Sequence, residues 1–200
     1  RWRRWFWRGR SIRLMVTTTD TTEIVTQPKI EEIAQPSFKR WLKHFFFMPA
    51  TKRYFSKQDQ YEIAQAVQHA EQGHVGEIQV VIEGCIPSNQ AYQQTTRMRA
   101  RQLFAELGVW DTELNSGVLL YLNLCEQKVE IVIDRGIQKA TEQVVWDQIC
   151  QNIIQQLAAQ HYKVAVIKGV ESIGEVLIEF YAHAITDQQN ELSNEPIILG

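Results

Sequence analysis

Apolar and polar positions divide the middle of the chain into three short strands. The two kinds of residue alternate over residues 76–83, which predicts a strand with one strongly apolar face. Residues 117–124 are apolar at almost every position, as expected for a central strand covered on both faces. A short turn around Glu126 and Gln127 separates that strand from a further apolar run, which ends at Asp134. The last two runs therefore predict an antiparallel hairpin.

Apolar residues at helical spacing predict five helices around these strands. The second helix begins at Ser56, and Asp59 three positions later favours the positive end of the helix dipole. A strand, a helix and a strand in this order favour a right-handed crossover with the two strands parallel. The predicted helices cover residues 37–48, 56–70, 87–107, 141–160 and 166–184.

The chain of 200 residues is long enough for one domain with a proper core, plus tails. We predict that residues 37–186 form this domain, that residues 1–36 are disordered or mis-annotated, and that residues 187–200 are a polar tail. Residues 1–14 are dominated by Arg and Trp, which suits a cationic segment on an anionic membrane surface. The alternative is that translation starts at Met15. We favour that start, because the segment has no helix caps and no region to pack on.

Charge and cysteine content exclude several classes of protein. The formal net charge of −2 does not steer the chain toward nucleic acid. The three cysteines show no CxxC spacing and are interpreted as reduced, buried thiols rather than ligands of a structural zinc ion. No stretch approaches the roughly 18 apolar residues that a membrane-spanning helix needs.

The helix predicted from Ser37 to Met48 carries an aromatic face beside basic residues. One interpretation is a helix that contacts a partner or the periphery of a membrane. The other is a helix that covers the core with its aromatic side chains. The sequence leaves both open.

Several oxygen ligands and one guanidinium collect at one edge of the predicted sheet. Folding the hairpin about its turn places Lys128 opposite Cys125 and Asp134 level with Leu119, so that Asp134 and Arg135 lie near Gly117. The loop carrying Asp111, Glu113 and Asn115 lies beside them, and the crossover brings Glu77 to the same neighbourhood.

Carboxylates, carboxamides and carbonyls suit a hard divalent cation such as Ca²⁺ or Mg²⁺. Arg135 beside such a site would clamp a phosphate oxygen, and the combination suits phosphoester hydrolysis with an activated water or a carboxylate base. Spacing alone gives slightly more weight to a simpler interpretation. In that interpretation Asp111 caps a turn, residues 115–117 are turn chemistry, and Asp134 and Arg135 are a local ion pair.

The same residues carry a resemblance to a known family. Residues 107–122 read Leu-Gly-Val-Trp-Asp-Thr-Glu-Leu-Asn-Ser-Gly-Val-Leu-Leu-Tyr-Leu, and residues 129–137 read Val-Glu-Ile-Val-Ile-Asp-Arg-Gly-Ile. Together they closely resemble the TPM domain family, most of all its soluble bacterial branch. The likeness extends from about Trp41 to Tyr181 and includes Trp146.

The resemblance implies a three-layer α/β/α sandwich, with a small mixed sheet whose central β-hairpin is flanked by helices. In the family, an acidic cluster at one sheet edge is associated with divalent cations, and phosphatase activity is ascribed to some members. Carried onto this chain, the metal ligands would be Asp111, Asn115, Asp134 and Glu77. The family often has Asn-Asn-Gly where this chain has Asn115-Ser116-Gly117, so one carboxamide is replaced by a hydroxyl.

We therefore expect a bacterial, cytoplasmic TPM-domain protein that binds Ca²⁺ or Mg²⁺ as its cofactor. It would hydrolyse small phosphoesters as a metal-dependent phosphatase, with Asp111, Asp134 and Arg135 as the catalytic residues. The alternative is a non-catalytic accessory module for the assembly or turnover of membrane protein complexes. Its contact surface would be the aromatic helix from Ser37 to Met48.

Overall fold

A five-stranded mixed sheet lies between two layers of helices, as the resemblance implied. The computed structural model describes residues 22–24, 36–46, 51–138, 141–181 and 190–199. Its strands are β1 (Thr22–Ile24), β2 (Glu77–Glu83), β3 (Gly117–Asn123), β4 (Lys128–Ile133) and β5 (Ile197–Leu199). Its helices are α1 (Phe38–Phe46), α2 (Thr51–Tyr54), α3 (Lys57–Ala70), α4 (Ser88–Ala91), α5 (Thr96–Glu106), α6 (Arg135–Gln138), α7 (Gln143–Ala158) and α8 (Tyr162–Tyr181).

The strands lie in the order β1-β4-β3-β2-β5. Strands β2 and β3 are parallel and in register from Glu77 opposite Gly117, which confirms that the two strands are parallel as predicted. Strands β3 and β4 form the antiparallel hairpin at the centre of the sheet, while β1 and β5 add parallel edge strands. All residues of β2 and β3 are buried, because helices cover both faces of the sheet.

The register of the hairpin differs from the prediction by two residues. Lys128 pairs with Asn123 rather than with Cys125, and the N–H of Asp134 donates to the carbonyl of Gly117 rather than lying level with Leu119. The loop is longer than a two-residue turn, and Gln127 adopts a φ of +58° within it. A shift of two residues keeps every side chain on its predicted face. Asp134 therefore still returns to the start of β3.

Two apolar clusters fill the layers on either side of the sheet. The larger one packs α3, α7 and α8 against β2, β3 and β4, and its largest buried side chains are Trp146 and Phe55. The smaller one packs α5 against the other face through Phe104 and Leu103, opposite Val81 and Leu119. These layers confirm the α/β/α sandwich.

Helix boundaries follow the sequence in some places and depart from it in others. Ser56 and Asp59 form a capping box at the start of α3, as the sequence predicted. The single helix predicted over residues 87–107 is instead two helices, and the side chain of Thr95 caps the second of them by accepting the N–H of Met98.

The last helix, α8, begins at Tyr162, four residues before its predicted start. Gly169 is an unfavourable residue inside a helix, but it serves the packing of this one. A Cβ there would lie 2.5 Å from Cδ1 of Ile153 on α7. The close approach of α7 and α8 therefore depends on that glycine.

The predicted tails contribute to the sheet in two places. Strand β1 lies in the segment predicted to be disordered, and β5 lies in the segment predicted to be a polar tail. Residues 1–14, and with them the choice between a membrane segment and a start at Met15, lie outside the described residues. In the part of the chain that the structure describes, no helix is long and apolar enough to cross a membrane.

Candidate functional site

The candidate site lies at the end of the sheet where β2 and β3 begin and β4 ends, here called the Asp134 end. Three backbone hydrogen bonds join its segments. The N–H groups of Glu77, Asp134 and Gly136 donate to the carbonyls of Ser116, Gly117 and Asn115, at 3.3, 3.0 and 3.0 Å. The structure therefore brings the predicted residues Glu77, Asn115 and Asp134 onto neighbouring chain segments.

The loop before β3 is held tightly in place. The hydroxyl of Thr112 accepts the N–H of Ser116, whose own hydroxyl donates to the carbonyl of Val75. A Cβ at Gly117 would lie only 1.9 Å from the carbonyl oxygen of Val109, so only glycine fits there. Asn115 adopts a φ of +53°, which Asn tolerates better than most residues. These constraints fix the position of the loop beside Asp134.

Asp134 is the most unusual residue of the site. Its side chain is buried, with the residue 3% exposed, and its Oδ1 accepts the backbone N–H of Arg135 at 2.6 Å. Its Oδ2 accepts no hydrogen bond from the described residues. Burial raises the pKa of Asp134, while the N–H and the charge of Arg135 act in the opposite direction. A buried carboxylate oxygen without a donor is costly, so this oxygen is suited to receive a ligand.

Tyr181 of α8 belongs to the same site, although the sequence analysis did not identify it as a site residue. Its buried hydroxyl likewise has no hydrogen-bond partner among the described residues. Burial raises the pKa of Tyr181, and the charge of Asp134 raises it further. A Cβ at Gly136 would lie 2.8 Å from this hydroxyl and 2.5 Å from the carbonyl oxygen of Asn115. Gly136 thus leaves room between two oxygen atoms beside Asp134.

Glu77 lies at the same end of the sheet, but its carboxylate is already used. Its two oxygens accept the N–H groups of Glu191 and Leu192, each at 3.3 Å. Burial raises the pKa of Glu77, and the charge of Glu191 adds to this effect. The carboxylate of Glu191 in turn accepts the N–H of Glu113. The C-terminal segment, in which the sequence predicted no structure, therefore packs against Glu77.

Glu71, at the end of α3, adds a further carboxylate that the sequence analysis did not identify. Its Oε1 accepts the N–H of Ile78 at 2.8 Å. Burial raises the pKa of Glu71 to about 8, and the charge of Glu77 contributes to the increase. Acidic groups with raised pKa values beside one another are typical of functional sites, although structural networks also produce them.

The remaining predicted residues lie at the surface. Asp111, Asn115 and Arg135 are all exposed. In residues 22–24, 36–46, 51–138, 141–181 and 190–199, no three His, Cys, Asp or Glu side chains are grouped so that they could hold a metal ion. The site therefore offers one buried acceptor, one buried hydroxyl and an exposed guanidinium, with further oxygen donors on the adjacent loop.

The aromatic helix α1 lies at the other end of the sheet, and the exposure of its side chains argues against one of its two interpretations. Phe38, Phe45 and Phe46 are 64%, 58% and 71% exposed, and Leu42 is 38% exposed. The helix therefore does not cover the core with its aromatic side chains. The inward side of α1 is polar, and His44 is its one buried residue.

Two solved structures share this fold. An NMR structure of the BA42 protein from the psychrophilic bacterium Bizionia argentinensis matches with a TM-score of 0.66 and 24% identity, over 76% of this chain and 99% of that one. A solution NMR structure of the N-terminal domain of a protein from P. gingivalis matches with a TM-score of 0.56 and 18% identity, over 68% of this chain and 83% of that one. No curated protein matches the sequence significantly.

The family comparison agrees with the fold. The model of the TPM domain matches residues 50–176, a range that includes all three central strands and the loop before β3. The chain belongs to the TPM domain family.

Proposed function

We propose that this TPM domain binds a divalent cation, Ca²⁺ or Mg²⁺, at the Asp134 end and hydrolyses small phosphoesters in the bacterial cytoplasm. The observation that carries the proposal is the buried Oδ2 of Asp134, which accepts no hydrogen bond from the described residues. A cation would supply the positive charge that this oxygen lacks.

The residues present fit a cation in part. Asp134 offers a preoriented oxygen, because the N–H of Arg135 fixes the carboxylate. Asp111 and Asn115, on the exposed loop, would complete the set as oxygen ligands. Glu77 would join only if the N–H groups of Glu191 and Leu192 released its carboxylate.

In this proposal each residue has a separate task. The exposed guanidinium of Arg135 binds a phosphate oxygen of the substrate, for which its planar donor geometry is well suited. The carboxylate of Asp134 lies next to the reacting phosphoryl group. Asp111 contributes a second carboxylate from the loop before β3. The Tyr181 hydroxyl donates a hydrogen bond to the ligand that occupies the space beside Gly136. A bound cation would neutralise charge on the phosphoester.

Hydrolysis of p-nitrophenyl phosphate with added Ca²⁺ or Mg²⁺, or with a chelator, tests the proposal. We expect cation-dependent hydrolysis that falls by about a hundredfold or more in Asp134→Asn, the scale typical of losing a positioned acid or base. Glu175→Gln, which changes an exposed carboxylate on α8, is the matched control and should keep full activity. Equal rates in Asp134→Asn and the parent, or no hydrolysis with either cation, would contradict the proposal.

A second candidate function is supported by the exposed apolar side chains of α1. In this alternative the chain is a non-catalytic accessory module that acts at membrane protein complexes, and the aromatic face of α1 is its contact surface. Substitutions on α1 would then impair this accessory function, whereas Asp134→Asn would not. The opposite result would favour the phosphatase.

A further inference from the structure

The amphipathic helix α1 is oriented opposite to the usual arrangement. A surface helix of a globular protein normally turns its apolar side to the core. In α1 the rings form a stacked row on the outside: Phe38 and Trp41 have centroids 5.3 Å apart, and Trp41 and Phe45 have centroids 5.1 Å apart. Phe46 packs edge-on against Phe45. A continuous apolar surface therefore faces outward.

Polar contacts hold the other side of α1 against the domain. The Arg40 guanidinium donates from Nε to the carbonyl of Ala91 at 2.8 Å and from a terminal nitrogen to the carbonyl of Tyr92 at 3.0 Å. His44 accepts the N–H of Ile86 through Nδ1, and its Nε2 lies 3.2 Å from a carboxylate oxygen of Glu126. These contacts fix the helix with its apolar side exposed.

The charge of α1 differs in sign from that of the whole chain. The helix contains Lys39, Arg40 and Lys43 and no acidic residue, whereas the chain has a formal net charge of −2. At 100° per residue, Lys39 and Lys43 fall beside one border of the apolar arc. Lys39 is exposed, and Lys43 is partly exposed beside Glu126. The exposed rings are thus bordered by Lys39, which is exposed, and by Lys43, which lies 3.7 Å from a carboxylate oxygen of Glu126.

We propose that the outward face of α1 docks on the surface of an anionic lipid bilayer, with the rings at the level of the headgroups. A helix that presents aromatic and aliphatic side chains bordered by lysines is the pattern of one that lies in the plane of the interface. Phe38, Phe45 and Phe46 are each more than half exposed, so their rings are accessible to a bilayer. This proposal rests on the second candidate function, because it uses the same exposed face of α1. It does not depend on the Asp134 end.

Co-sedimentation of the full chain with vesicles tests the proposal. Vesicles of phosphatidylcholine alone are compared with vesicles that contain an equal part of phosphatidylglycerol. We expect binding to the anionic vesicles that falls about tenfold or more in Phe38→Gln/Phe45→Gln/Phe46→Gln, because the buried apolar area supplies most of the affinity. Gln keeps good helix propensity, and circular dichroism checks that the variant remains folded.

Two control variants separate this surface from the rest of the domain. Tyr61→Gln/Val144→Gln removes exposed apolar side chains from α3 and α7 and should leave binding unchanged. Lys39→Glu should weaken binding several-fold at low salt and less at high salt, whereas Lys57→Glu, an exposed lysine on α3, should have a smaller effect. A chain that starts at Met15 should still bind through α1.

Four results would overturn the proposal. These are no binding to anionic vesicles, unchanged binding in the triple α1 variant, an equal loss in the Tyr61→Gln/Val144→Gln control, and complete loss of binding in the chain that starts at Met15. If a protein partner binds through α1 while vesicles do not, the bilayer proposal fails and the accessory function stands. The phosphatase proposal is tested by a separate hydrolysis assay, and none of these outcomes bears on it.

Discussion

At the residue scale, the Asp134 end contains acidic groups whose ionised form is disfavoured by burial. Burial raises the pKa values of Asp134, Glu77 and Glu71, and the charge of Glu77 adds to the effect on Glu71. A folded protein that holds protons on buried carboxyls becomes less stable as the pH rises, because the unfolded chain releases those protons more readily. Stability at this site should therefore depend on pH.

Glu71 gives the sharpest form of this expectation. Its pKa is raised to about 8 from an ordinary value of 4.5, so between these values its ionisation is favoured in the unfolded chain and stability falls as pH rises. Gln at this position keeps the acceptor for the N–H of Ile78 and has no charge. Glu71→Gln should be nearly neutral at pH 5 and stabilising at pH 9 by roughly 1–2 kcal/mol, a fraction of the roughly 1.4 kcal/mol per pKa unit of the full shift.

Urea unfolding of the parent and of Glu71→Gln at pH 5, 7 and 9 measures this difference. Glu175→Gln on exposed α8 surface is the matched control, and its stability should follow that of the parent at every pH. A constant difference between Glu71→Gln and the parent across the range would show that Glu71 is ionised in the folded protein.

The sequence predicted part of the site for a definite reason. Asp134 and Asn115 flank apolar runs whose pairing follows from the hairpin, so their proximity required no side-chain detail. Tyr181 and Glu71 were missed because each lies at the C-terminal end of a helix, and helical periodicity does not indicate which sheet end a helix terminus meets. The closure of residues 191 and 192 over Glu77 follows from tertiary contacts alone.

At the element scale, the contact between α7 and α8 depends on the absence of a side chain. A Cβ at Gly169 would lie 2.5 Å from Cδ1 and 2.9 Å from Cγ1 of Ile153. Gly169→Ala should therefore destabilise the fold by about 1–3 kcal/mol, the usual cost of overpacking a core, although Ala itself favours the helix.

A double-mutant cycle identifies the clash as the cause. Ile153→Val removes the Cδ1 atom that the methyl group added by Gly169→Ala would meet, and it costs about 0.5–1.5 kcal/mol alone. The cost of Gly169→Ala, measured by urea unfolding, should be smaller in the Ile153→Val background. Equal costs in both backgrounds would mean that a clash with Ile153 is not the cause of the destabilisation.

Secondary structure was predictable where local chemistry determined it. The capping box of Ser56 and Asp59 marked the start of α3, and the apolar runs marked β3 and β4. The break between α4 and α5 was missed because the residues between them contain neither Gly nor Pro. Strand β5 was missed because three apolar residues after a polar stretch are too few to establish a period; its pairing with β2 stabilises it instead.

At the scale of the whole molecule, the two candidate surfaces lie at opposite ends of β3. The Asp134 end lies where β3 begins, and α1 contacts Glu126 in the loop where β3 turns into β4. Seven residues of extended chain separate them by roughly 20 Å. Substitutions at that distance without shared partners usually act independently. Asp134→Asn should therefore leave vesicle binding intact, and the α1 variants should leave phosphoester hydrolysis intact.

The central claim is that the buried oxygen of Asp134 receives a divalent cation. Calorimetric titration of Ca²⁺ and of Mg²⁺ into the parent chain, Asp134→Asn and the control Glu175→Gln tests it directly. We expect one cation to bind the parent and Glu175→Gln with equal affinity and to show no measurable binding to Asp134→Asn. No heat of binding with either cation in the parent, or the same affinity in Asp134→Asn, would contradict the claim.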